Sequence, residues 1–341
     1  MLSVSFLLWS SASLLTPGDG SRTNALYACR TLVGTAMGVV FPSIHSILVR
    51  WIPIHERSRA VSLFTSGMYF GSAFGMLALP QIITLYGPGR VPLAIGAAGF
   101  CWLALWSQYA TKQPSGAGAP GSLLPGAAAA GKRRADVPWS QLLRCVPIWA
   151  LIANNFTFHY AFFILMSWLP TLYDALGADP GTLGSLKMLP YLVMGVCSNV
   201  GGVVADALIS RAWGVTRTRK LLNTAGFLSA SLGLLALPGA TSLNGAVLMA
   251  CWSMGSLALA RGGYSVNHMD IAPTHAGVLM GLSNGAGSMA GMIGPWVTGR
   301  ILEHTASREA AWHSACAVPA GLCTLGAAIF LVLGTGERLF D

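Results

Sequence analysis

Charge is what this chain has least of. Of 341 residues, 20 are Lys or Arg and 11 are Asp or Glu, so 9% are charged, against roughly 25% in a soluble domain. So few charges cannot cover a soluble surface of this size, which excludes an ordinary globular protein. Acids are the scarcer sign, and all of them fall in loops or at the ends of apolar runs. The seven cysteines, at 29, 101, 145, 197, 251, 316 and 323, show no CxxC or Cys/His ligand spacing, so neither a disulfide frame nor a zinc site is expected. A membrane-embedded enzyme built on His159 or His268 would lack a paired nucleophile, acid or metal cluster. The chain is therefore not read as an enzyme, and no cofactor is expected.

What is present is apolar, at 54% hydrophobic residues. A bilayer core calls for helices of about 20 apolar residues. The sequence offers about ten such runs, at 1–16, 25–48, 60–84, 91–110, 145–170, 184–208, 221–238, 244–265, 276–300 and 311–334. The fold class expected is all-α integral membrane. Small residues let helices approach closely in lipid, and Gly occurs 41 times.

Residues 111–144 break the pattern with Gly, Pro, Ala and a basic cluster, as a flexible linker would. This divides the chain into a bundle of four spans at 1–110, a cytoplasmic linker at 111–144 and a bundle of six spans at 145–341. If the spans alternate, one side carries Arg50, Arg57 and Arg59, then Lys112, Lys132, Arg133, Arg134 and Arg144, then Arg211, Arg217, Arg219 and Lys220. The positive-inside rule makes that side cytoplasmic. The net charge of +9 is thereby explained by topology, and nucleic acid is not expected as a partner. The lipid bilayer is.

A short repeat orders the spans further. Residues 71–76 read GSAFGM and residues 287–292 read GSMAGM, an offset of 216, each followed by a proline, Pro80 and Pro295. Transporters built from parallel halves show such weak symmetry. Under this offset the spans at 145–170 and 184–208 would match positions before residue 1. Two spans of a six-plus-six arrangement are expected to be missing from the N-terminal side.

Arg30 and Arg261 are the two arginines inside predicted spans. Charge at bilayer depth is costly and faces a cavity or a partner, and a guanidinium grips an oxyanion through two parallel hydrogen bonds. Snorkelling is the bland alternative. Helical spacing puts Arg30, Gly34, Met37, Gly38, Phe41 and His45 on one face. His45 matches Arg261 under the repeat offset. Asn155 and His159 lie one turn apart, Tyr69 belongs to a polar stripe with Thr65 and Ser72, and Asn284 begins another with Ser288 and Gly291. These seven residues, Arg30, Arg261, His45, Asn155, His159, Tyr69 and Asn284, are the candidates for a substrate path. His268 and Asp270 fall in an expected cytoplasmic connection at 267–275, where Asp270 would cap the helix started by Pro273. Asp270 could also pair with Arg57 or Arg59 as part of a gate.

The blocks CRTLVGTAMGVVFPSIHSILVRWIPIHERSRAVSLFTSGMYFGS, NNFTFHYAFFILMSWLPTLY, GVTRTRKLLNT and VNHMDIAPTHAGVLMGLSNGAG resemble the anion transporters of the major facilitator superfamily. That group includes the vesicular glutamate, sialic acid and sodium-phosphate carriers, and the plant and algal phosphate-type branch is the most similar. GGVVADALISRAWGVTRTRK resembles the superfamily's loop motif, in which Asp206 would pair with a nearby arginine. The resemblance also implies a substrate-pathway arginine at Arg30. It further implies a six-plus-six helical bundle, alternating access, a monomer, a small anion substrate, inorganic phosphate before others, symport with H+ or Na+, and a Golgi location. One departure stands out: several family members carry an acid where this chain has Met37, so proton coupling would need another group. The alternatives are a carrier of an organic anion such as a carboxylate, or a truncated, transport-incompetent membrane protein acting as an interaction partner or arising from a faulty gene model.

Overall fold

The apolar runs fold as helices in the expected order. The computed structural model describes residues 1–18, 22–110, 137–179 and 182–340, and among them all regular structure is helical. The first half comprises α1 (Leu2–Leu14), α2 (Thr23–Gly38), α3 (Val40–Trp51), α4 (Arg57–Tyr86) and α5 (Arg90–Tyr109). The second comprises a short α6 (Trp139–Arg144), then α7 (Val146–Ala175), α8 (Leu183–Ser210), α9 (Val215–Ala236), α10 (Leu243–Ile271), α11 (Ala276–His304) and α12 (Arg308–Leu333). The linker expected at 111–144 lies outside the described residues up to 136.

Among the described residues, eight helical segments are long and apolar enough to cross a membrane, with α2 and α3 counted together. α1 is apolar but only 13 residues long, and α11, at 29 residues, falls outside this set. Its glycines, Ser283, Asn284 and Ser288 dilute the apolar content of α11. These two helices account for the difference between the expected ten runs and the eight.

Two local features set the frame. Between α2 and α3 the helix breaks at Val39. Pro42 has no N–H to give the Gly38 carbonyl, and glycine is itself a weak helix former. Elsewhere, serine caps start helices cleanly: Ser242 accepts the Gly245 N–H at 3.2 Å and Ser307 accepts the Ala310 N–H at 3.1 Å.

Glycines then set how closely the helices cross. A Cβ on Gly226 would strike the Ala260 backbone, and one on Gly263 would strike Arg219 and Asn223, so α9 and α10 pack nearly backbone to backbone. Gly287 and Gly291 of α11 receive the His159 and Phe163 rings of α7. Across the two halves, α4 runs antiparallel along α8, with Gly202 against Ser58 and Ser62, Gly195 against Phe70 and Gly184 against Met76. α3 meets α11 near the Arg57 end, where Gly277 faces Ser46 and Pro42, and Gly281 faces Pro42.

The repeat has a structural counterpart. α4 and α11 each follow a 3-10 turn, Ile54–Glu56 and Pro273–His275, and each contains an internal proline, Pro80 and Pro295. With the same offset, α1, α2 with α3, and α5 correspond to α9, α10 and α12. Among the described residues, α7 and α8 have no counterparts in the first half.

Candidate functional site

Arg261 sits in the middle of α10, 4% exposed, where the two halves meet. Burying a guanidinium without a counter-charge is unfavourable by several kcal/mol or more. Among the described residues it forms no ion pair. Its neighbours offer weaker compensation: one terminal N–H donates to the Tyr69 hydroxyl of α4 at 3.2 Å, and its centre lies 4.8 Å from the centroid of the Phe158 ring of α7. Its Nε has no hydrogen-bond partner.

Around this cation stand three histidines from three helices. His45 of α3 is fully buried, and its ring lies 6.2 Å, centroid to centroid, from that of His268 on α10. His268 is held at both nitrogens, by the Ser265 carbonyl at 2.9 Å and by the Ser283 hydroxyl at 2.9 Å. His159 bonds the Asn155 carbonyl one turn back at 2.8 Å, and Asn155 donates across to the Ser283 carbonyl at 2.8 Å. Tyr264 stacks on Phe227 and interacts electrostatically with Arg261. Several buried polar atoms in these walls make no hydrogen bond: Tyr264 Oη, Ser265 Oγ, Asn155 Oδ1 and His45 Nε2. The cluster is basic and carries free donors and acceptors, which suits a small oxyanion.

A second cluster closes the end of the molecule that the sequence marks as cytoplasmic. Arg219 of α9, fully buried, donates through Nε to Asp270 at 2.8 Å and through Nη1 to the Ser58 hydroxyl at 2.7 Å and the Gly262 carbonyl at 3.0 Å. Arg57 reaches the same Asp270 at 3.9 Å and donates to the Met269 carbonyl at 3.0 Å. Asp206 of α8 accepts the backbone N–H groups of Ser58 and Arg59 at 3.2 and 2.8 Å. It therefore caps the N-terminus of α4 from the other half, where a carboxylate also meets the positive end of the helix dipole. Residues 334–340 fold back over this end: Asn267 donates to the Thr335 carbonyl at 2.7 Å, and the Leu339 and Phe340 N–H groups donate to the Ile271 carbonyl at 2.8 and 3.1 Å.

The expected site residues sort as follows. Arg261, Tyr69, His45, Asn155 and His159 come together. Asn284 is half-buried one residue beyond Ser283, and among the described residues its side chain makes no hydrogen bond. Arg30 does not join them. It is exposed on α2, whereas His45 is buried on α3, beyond the irregular turn at Val39. Asp270 is not an N-cap: α10 runs on to Ile271, and the following 3-10 turn and helix begin at Pro273 and Ala276, with Ala272 and His275 at the N-cap positions and no side-chain cap. Pro273 displaces the start of the next helix, leaving Asp270 in the last turn of α10, where it takes the ion pair with Arg57 that was expected as an alternative. His268 likewise lies inside α10, not in a connection. Arg59 is exposed and contributes its backbone N–H. Asp206 binds backbone N–H groups where an arginine side chain was expected.

Sequence reasoning missed Arg219, treating it as one more cytoplasmic charge. The signal was available: Arg219, Asn223, Gly226 and Ala230 recur at helical spacing on one face, all buried, whereas Lys220 does not share it. Ser58 and Ser283 were also missed, as single serines carry no pattern.

Long apolar helices around a buried basic cluster define a multi-pass membrane protein of the transporter class. The comparisons agree. The Major Facilitator Superfamily model matches residues 1–295, and the chain belongs to that superfamily, among relatives described as plant anion transporters. It is 47% identical over 357 residues to probable anion transporter 5 of Arabidopsis thaliana, covering 100% of this chain and 82% of that protein. To the chloroplastic sodium-dependent phosphate transport protein 1 of Arabidopsis thaliana it is 36% identical over 350 residues, covering 100% of this chain and 67% of that protein. The fold is also that of the proton:xylose symporter XylE, with a TM-score of 0.69 at 14% identity over 99% of this chain and 81% of the other.

Proposed function

We propose that the chain is a secondary active carrier of small anions, inorganic phosphate before others, working by rocking of its two halves about the Arg261 cluster. The observation that carries this reading is the buried guanidinium of Arg261 with no acidic partner among the described residues: an anionic substrate would supply the missing counter-charge. Tyr69 from the first half and the Asn155–His159 pair from the second would line the site, with Asn284 beside them. Arg30, on the resemblance, would serve as a second positive group along the path.

The Arg219–Asp270–Arg57 cluster and the Asp206 cap would form the cytoplasmic latch that must open once per cycle. Phosphate as the substrate is supported by the phosphate-transport relative, and a carboxylate remains the competing substrate class. The Golgi location rests on the sequence resemblance alone, while the phosphate-transport relative is chloroplastic; a tagged full chain imaged against markers of both compartments decides between them. The function itself is tested by uptake of radiolabelled phosphate into proteoliposomes holding the purified chain, with unlabelled carboxylates as competitors. Saturable uptake that Arg261→Gln removes supports the reading. Carboxylate competition stronger than that of unlabelled phosphate moves the assignment to organic anions.

A further inference from the structure

We propose that His45 is the proton-binding group that couples anion movement to a proton. The inference rests on the anion-carrier reading and adds the coupling ion and its site.

The argument starts from what each buried ring can do with its two nitrogens. Neutral imidazole carries one N–H and one lone pair, and imidazolium carries two N–H groups. His268 is satisfied when neutral, giving one N–H to the Ser265 carbonyl and accepting the Ser283 hydroxyl. His159 gives its N–H to the Asn155 carbonyl of its own helix, and its ring is only half-buried. His45 differs from both. Its Nδ1 lies 3.1 Å from the Phe41 carbonyl of its own helix, and the Ser265 carbonyl of α10 also interacts with the ring. Its Nε2 is buried without a partner. A neutral ring can serve one of these carbonyls, whereas a protonated ring can serve both, one within α3 and one across to the other half. Protonation would thus add a hydrogen bond that ties the halves together.

The surrounding charges make that proton depend on the anion. From α10, His268 and Arg261 face the ring. α11 contributes Ser283 behind His268, and its Arg300, Glu303 and His304 lie at its far end. α4 holds Tyr69, engaged by Arg261, and Arg57, engaged at the latch. The turn after α10 holds His275, and Arg30 lies on α2 beyond the break at Val39. Among the described residues, no carboxylate pairs with His45. A guanidinium and an imidazolium repel each other, and an anion bound at Arg261 would relieve that part of the interaction. Anion binding therefore favours proton binding, and by linkage the reverse is equally true. The proton comes from water on one side onto the ring lone pair and returns to water on the other side after the halves reorient.

The test uses the full chain in proteoliposomes with the membrane potential clamped and radiolabelled inorganic phosphate as probe. Two quantities are read: the ratio of uptake with an inward proton gradient to uptake without one, and phosphate counterflow at equal pH. Wild type should give a ratio of about fivefold or more, the lower end of ordinary coupling. His45→Gln should give a ratio near one with counterflow slowed but measurable. An unchanged ratio in His45→Gln, or a wild-type ratio of one with normal counterflow, overturns the proposal. Absent counterflow in wild type overturns the phosphate-carrier reading instead. For a variant too slow to read, thermal stabilisation by phosphate is compared between about pH 8 and about pH 6, across the usual histidine range, with His45→Asn carried in parallel. Phosphate itself changes protonation across this range, so the variants keep the pH dependence of the anion. The proposal expects a further pH dependence in wild type beyond that of the variants, and equal pH dependence in all three refutes it.

Discussion

Arg219 and Asp270 form an ion pair buried at both ends, Nε to Oδ2 at 2.8 Å, between α9 and α10. Removing one member of such a pair strands the other, at a cost of about 3–5 kcal/mol. Arg219→Met or Asp270→Leu alone should therefore lower the unfolding temperature in detergent sharply. The double variant should recover part of the loss, with a coupling of about 0.5–3 kcal/mol. Additive losses would show that the pair is not energetically coupled.

At the proposed substrate cluster, charge and shape can be separated. Arg261→Lys keeps a positive charge but loses the planar fork and its orientation. It should raise the KM for phosphate, and Arg261→Gln should bring uptake to background. Tyr69→Phe removes the hydroxyl that Arg261 engages, a bond to a charged group of about 1.5–3 kcal/mol. Its KM should rise by about tenfold or more, with folding unchanged by size-exclusion profile.

Asp206 offers a test of the latch that leaves the substrate cluster alone. Asp206→Asn removes the carboxylate charge at the start of α4 and weakens the cap across the halves, a loss of about 1 kcal/mol. In a cysteine-free background, Ser46→Cys should then label faster with an impermeant maleimide added to the cytoplasmic side. Unchanged labelling would mean that the cap does not hold that end closed.

Gly277 touches the Ser46 side chain and the Pro42 carbonyl so closely that a Cβ has no room. Gly277→Val should force α3 and α11 apart and raise labelling at the same end, by overpacking worth about 1–3 kcal/mol. Gly285, whose Cβ would meet open space, is the control, and Gly285→Ala should leave labelling unchanged.

The helices were legible because apolar length is written locally along the chain. Arg261 and Tyr69 were legible for the same reason, as polar groups out of place in apolar runs. The break at Val39 was not, although Gly38 and Pro42 signal it, because helical spacing alone continues from Arg30 to His45. Nor were the partners of Asp270 and Asp206, since Arg219 and the N–H groups of Ser58 and Arg59 reach them from other helices. Periodicity along one helix says nothing of which helix will lie opposite.

The seam between α4 and α8 has one further consequence. Gly184, Gly195 and Gly202 are spaced by 11 and 7 residues, close to three and two helical turns, so they form a single groove that α4 fills along its length. Variation on the two sides of that groove should be unequally tolerated. On α4, Phe70, Met76 and Ser62 can exchange for residues of similar bulk, while at the three glycines even alanine must displace a neighbour. In a saturation library selected for uptake, the seam should read as three nearly invariant positions facing a permissive helix.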